Sequence, residues 1–184
     1  MPWCTSPIGM LSELAGQARF VVIGNVAGAL HGWPILLAGR RLHIAPAETA
    51  MPRVEQAARR LGAEPAELGD HAPRRWVLPS GAELHATPVP PGTRGYRDLA
   101  RDAQSMQIAP GLSVRVASLI DLIRIAESSP DPDARMFVSA LWATLEMRQR
   151  AGCPDSKADA GRGAGPTSAR TVSSYQALPS RTHP

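Results

Sequence analysis

The sequence predicts an α/β to α+β domain built on one mixed β-sheet flanked by helices. Three observations carry that prediction. Residues 19–32, RFVVIGNVAGALHG, run from an apolar strand through Gly24 into a helix of small residues. Strands and helices alternate early in the chain, whereas hairpin-type turns dominate later, which is the pattern of a mixed sheet. The 184 residues are 43% hydrophobic but only 4% aromatic, so aliphatic and alanine packing must fill a core of single-domain size.

Taken in order, Met10, Leu11 and Leu14 mark a short amphipathic helix ahead of the first strand, residues 20–24. Asn25 is expected to open the helix over 26–30, and His31 and Gly32 to stop it. A second strand covers 40–46. Val54, Ala57, Ala58 and Leu61 then recur at i, i+3, i+4, i+7, with Pro52 in the first turn of that helix and Gly62 at its end. Strands over 75–78 and 82–87 flank Pro79, Ser80 and Gly81 as a hairpin. A Pro/Gly loop, a short helix over 96–103, and strands over 106–108 and 112–116 around Pro110 and Gly111 follow.

Ser118 with Asp121 is a capping signature for a helix that buries Leu119, Leu122, Ile123 and Ala126. Ser128, Ser129 and Pro130 break the chain. Asp131 and Pro132 restart one final helix with Phe137, Ala140, Leu141 and Leu145 on its core side and Trp142 flanking. The domain is expected to span residues 8–150. Residues 151–184 are rich in Gly, Ser, Thr and Pro and hold too few large apolar groups to offset their ordering entropy. They are expected to form a disordered tail.

A net charge of +4 and a pI near 9.8 invite a nucleic-acid reading. Lys157 is the single lysine, however, and the abundance of Arg, Ala, Gly and Pro reads as a GC-rich coding bias, which argues against that partner. Cys4 and Cys153 lack close metal-type partners and read as free thiols of a reducing compartment. No secretory leader and no apolar run near the ~20 residues of a membrane span is visible. A soluble cytoplasmic protein is therefore expected.

Several residues could carry chemistry. The Gly24 and Asn25 turn either offers backbone N–H groups to a phosphate or is a plain strand-to-helix turn with Asn25 as its cap. His31 and Gly32 read as a structural helix stop. Arg40 and Arg41 either pair with a phosphate chain or lie solvated at a strand end. His43 and His85 raise a Zn²⁺ reading with no third ligand in view, so no metal is assigned. Glu67, Asp70 and His71 read as solvated loop residues, and no serine sits in a hydrolase context.

The segments FVVIGNVAGALHGWP, RLHIAP, RRLGAEP, PPGTRGYRDLARDA and VRVASLIDLIRIAE, in that order, resemble the small bacterial nucleotidyltransferase-fold family. The resemblance covers about residues 19–146. It implies attack on the α-phosphate of a nucleoside triphosphate with two Mg²⁺ ions held by a D-x-D strand and a third Asp. Carried over by position, the D-x-D pair falls on Arg41 and His43 and the third acid near His85, with an insertion around Ala38 and Gly39. Mg²⁺ requires carboxylate oxygens, and Glu83 is the nearest substitute.

The resemblance therefore implies a degenerate member that binds a nucleotide, through Gly24, Asn25 and Arg41, or a protein partner. The alternatives are an active transferase using Glu83, or an antitoxin-like interaction module. If the alignment holds, the strand with Arg41 and His43 lies beside the strand with His85, and both imidazoles face one cleft near Gly24.

Overall fold

The structure, a computed structural model, describes residues 6–33, 41–66 and 74–152. Expectations for Cys4, Ala38, Gly39, Arg40, Glu67, Asp70, His71, Cys153 and the tail from Pro154 onward lie outside the described residues.

Helix α1 (Pro7–Ala15) is capped by Ser6, whose Oγ accepts from the Gly9 N–H at 3.2 Å, and it buries Met10, Leu11 and Leu14. Strand β1 (Phe20–Ile23) is buried throughout and passes into α2 (Gly24–Leu30). Strand β2 (Arg41–Pro46) leads through a 3₁₀ turn into α3 (Met51–Arg60), which buries Val54, Ala57 and Ala58. Strands β3 (Glu64–Ala66), β4 (Arg74–Val77) and β5 (Glu83–Ala86) precede α4 (Tyr96–Asp102). A hairpin of β6 (Gln104–Ala109) and β7 (Leu112–Val116) feeds α5 (Leu119–Ser128), then α6 (Pro132–Met136) and α7 (Val138–Arg150).

Among the described residues seven strands form one mixed sheet in the order β3-β4-β5-β2-β1-β7-β6. The β1·β7 and β2·β5 pairs are parallel and the others antiparallel. Residues paired across strands share a face. Val22, Leu42, Ile44, Leu84, Ala86 and Trp76 therefore lie on one side, all 5% exposed or less, as the floor of the core. On the other side Val21, Ile23 and Ala45 are covered, while Arg41, His43, Glu83, His85 and Arg75 are only half-buried or exposed.

Three elements differ from expectation. The strand β3 carries Pro65 at its centre and has no apolar alternation, so nothing local announces it; antiparallel pairing with β4 creates it. The final helix is two helices, because the Phe137 N–H bonds the Ala134 carbonyl, a tight i−3 contact that turns the chain. Phe137 sits edge-on against Trp33 with ring centroids 4.9 Å apart, and Thr144, bonded to the Ala140 carbonyl, is buried beside Leu141 and Leu145. Asn25 is not the cap of α2. That position belongs to Ile23, with no side-chain bond, and Asn25 lies exposed inside the helix.

Polar groups also fasten the helices. His31, 5% exposed, gives its Nε2–H to the Ala117 carbonyl at 2.7 Å and accepts at Nδ1 from Arg148. It ties the end of α2 to the β7–α5 junction and to α7, which is the structural role its position suggests. Between α4 and α5, Arg124 Nη2 bridges Asp98 at 2.9 Å and Asp121 at 2.8 Å. Ser118 Oγ both accepts from the Asp121 N–H and donates to its carboxylate, as the capping signature predicts. No described helix is long and apolar enough to cross a membrane.

Candidate functional site

The candidate site is the open face of β2, β5 and β4. Parallel pairing sets Arg41 beside Glu83 and His43 beside His85, and antiparallel pairing sets Arg75 beside His85. The strand period of two brings Arg41 with His43, and Glu83 with His85, to this one face. Gly24 lies at its rim. The positive φ of +69° there suits glycine, and a Cβ would stand 3.2 Å from the Cβ of His43. The turn is thus fitted closely against the imidazole, and Gly24 and the two histidines adjoin one another on this face.

The side chains are coupled. His85 donates its Nε2–H to Glu83 Oε2 at 2.6 Å, and Arg41 Nε lies 3.4 Å from the same oxygen. The His43 and His85 rings stack with centroids 4.5 Å apart and planes 26° from parallel. Burial, then the neighbouring His85 and Arg41, push His43 down from 6.5 to about 4 against the pull of Glu83, so it is a neutral imidazole near neutral pH. The His85 hydrogen bond, followed by the charges of Arg41 and Arg75, holds Glu83 below the usual carboxylate range despite its partial burial. It is a carboxylate at any physiological pH.

A Mg²⁺ pair does not fit this donor set. Mg²⁺ wants several hard oxygens in near-octahedral order, and the face offers one carboxylate, already engaged by His85 and Arg41. Zn²⁺ fares no better, since the imidazoles lie ring against ring instead of converging on a common point. Among the described residues no group of three or more His, Cys, Asp or Glu side chains could hold a metal.

Of the residues marked in the sequence, Gly24, Arg41, His43, Glu83 and His85 come together. Asn25 lies exposed on α2, apart from them. Sequence reasoning missed Arg75. Its signal was an arginine at the start of the strand expected over 75–78, but only the register with β5 puts Arg75 on the site face. Its Nε is buried with no hydrogen-bond partner, and it has no ion pair among the described residues.

No family model matches the chain, and no curated protein matches it by sequence. Solved structures do. The lincosamide antibiotic adenylyltransferase LnuA, lincomycin-bound, is 8% identical with a TM-score of 0.51, covering 69% of this chain and 87% of that one. The antibiotic-resistance factor ANT(2'')-Ia is 12% identical with a TM-score of 0.53, covering 82% and 92%. The same factor in complex with adenylyl-2''-tobramycin is 14% identical with a TM-score of 0.50, covering 80% and 90%. At these identities the likeness establishes a nucleotidyltransferase-like fold.

Proposed function

We propose that this chain is a degenerate nucleotidyltransferase-like protein that binds a nucleoside triphosphate on the open face of β2, β5 and β4 without efficient metal-dependent transfer. The observation that supports this reading is the pairing of Arg41 with Glu83 and of His43 with His85 across β2 and β5. Nucleotidyl transfer needs charge stabilisation on both the attacking and the leaving oxygen, which two divalent cations supply when carboxylates hold them. Here a guanidinium and two imidazoles occupy the positions that align with those carboxylates. A cation at position 41 repels Mg²⁺ where attraction is required. The same cation suits a phosphate.

Adding the four common nucleoside triphosphates should shift the melting temperature, while no pyrophosphate is released with Mg²⁺ or Mn²⁺. Robust Mg²⁺-dependent release, lost in Glu83→Gln, would favour the second reading, an active transferase. That reading draws on Glu83 being an ionised carboxylate on the site face and on the adenylyltransferase named among the similar folds. A chain that serves a protein partner instead would show neither shift nor release.

A further inference from the structure

Two guanidiniums reach the open face from strands on either side of β5: Arg41 from β2 and Arg75 from β4. Strands lie about 4.8 Å apart, so the backbones carrying the two arginines are separated by roughly 10 Å. Between them stands a single carboxylate, Glu83, 20% exposed, whose charge is shared by Arg41 and by the His85 N–H. Among the described residues Arg75 forms no ion pair, although its charge acts on Glu83, and its buried Nε–H has no acceptor. A buried donor without an acceptor is costly, and a planar guanidinium with open N–H groups is shaped for phosphate oxygens. His43, neutral and tightly packed, adds no charge to oppose or assist.

Arg124 also carries an unpartnered Nε, but its charge is already matched by Asp98 and Asp121. Of the two buried, unpartnered Nε groups among the described residues, that of Arg75 alone belongs to an arginine with no ion pair. We infer that this face binds a polyphosphate chain as the free anion, without Mg²⁺, with Arg41 and Arg75 gripping it from the two flanking strands. The inference rests on the nucleotide-binding reading and specifies what that site grips. A phosphate chain can meet arginines set two strands apart, which a single phosphate does less well. Mg²⁺ bound to the chain would cancel the charge the arginines read and bring a cation toward Arg41.

Calorimetric titration of the full-length chain with tripolyphosphate, ATP and orthophosphate, each in EDTA and in excess Mg²⁺, tests this. Tripolyphosphate and ATP should bind in EDTA and weaken at least tenfold in Mg²⁺, with orthophosphate weaker than either. Arg75→Gln should cost at least tenfold, whereas Arg135→Gln, an equal charge loss on exposed α6, should stay within twofold. Arg75→Lys should recover only part of the loss, since it restores charge without the fork. Arg41→Gln provides a second probe should Arg75→Gln fold poorly by circular dichroism.

ATP bound only in Mg²⁺ would overturn the inference while leaving the nucleotide reading intact. Tripolyphosphate bound in EDTA with every nucleoside triphosphate rejected would do the reverse. No binding of either anion in EDTA, or equal losses in Arg75→Gln and Arg135→Gln, would also overturn the inference.

Discussion

Two clusters of charge in this molecule differ in how fully their groups are matched. Between α4 and α5 the carboxylates of Asp98 and Asp121 share Arg124, the exposed Arg101 reaches Asp98 at 3.5 Å, and Ser118 and the Arg94 N–H fill further oxygen positions. On the open face of β2, β5 and β4 one carboxylate, Glu83, faces two arginines and a histidine N–H. The first cluster is closed on itself, and its acids are 11% exposed or less. The second keeps a surplus of donors facing an open side, with Arg41 65% exposed. A polar group that holds a fold together has its partners within the fold; one that awaits a ligand does not. The contrast is the one that the proposed reading of the open face as a binding site expects.

The largest expected effect comes from pH, and it belongs to the cleft. His43 titrates near 6.5 unfolded and about 4 folded, so between those values the unfolded chain binds the proton and the folded one does not. Stability therefore falls as pH drops through this window, by up to about 3 kcal/mol from this residue. Lowering of the Glu83 pKa adds a loss at still lower pH, while Asp121, raised chiefly by burial, contributes in the opposite direction. Urea denaturation at pH 7 and pH 4.5 should show the drop, and His43→Gln should flatten it. An unchanged slope in that variant would place the titrating group elsewhere.

Next comes the closed cluster. Arg124→Met leaves two buried carboxylates facing each other and should cost about 2 kcal/mol, discounted for the partial exposure of the arginine. A loss no greater than that of a cleft arginine would erase the distinction drawn above.

A smaller effect should follow from inverting the cleft charge. Arg41→Asp with His43→Asp introduces two acids one strand period apart, beside Glu83 and His85. The double variant should gain Mg²⁺ binding worth about 1 kcal/mol of stability at millimolar metal, visible as a Mg²⁺-dependent rise in melting temperature. No rise would count against the alignment of positions 41 and 43 with metal-binding acids. Smallest of all, Arg41→Gln and Arg75→Gln should each alter unfolding stability by no more than about 0.5 kcal/mol, since neither closes a buried network.

Much of this was visible in the residues. The strand period placed Arg41 with His43 and Glu83 with His85, and helical spacing marked the buried sides of α1, α3 and α5. Ser118 announced its helix, and His31 its role as a stop. What escaped were relations between segments distant in sequence. A period assigns a face but names no neighbour, so Arg75 could not be set beside His85 without the β4·β5 register. Asp98 and Arg124 lie on different helices, and only packing brings them together. The strand β3 owes its form to its partner, and the break at Phe137 to a single tightened turn that composition does not mark.

The two margins of the sheet bear on how copies of this chain can meet. At one margin β3 is three residues long with Pro65, which has no N–H, at its centre. At the other, β6 shifts register between Gln107 and Ala109, so its backbone is not straight. A neighbouring strand seeking to continue the ladder would meet a missing donor on one side and a kinked template on the other. Growth of the sheet from molecule to molecule, the route by which β-rich chains form fibres, is obstructed at both ends. Copies that meet along the described sheet margins are therefore directed toward side-chain contact in place of main-chain ladders.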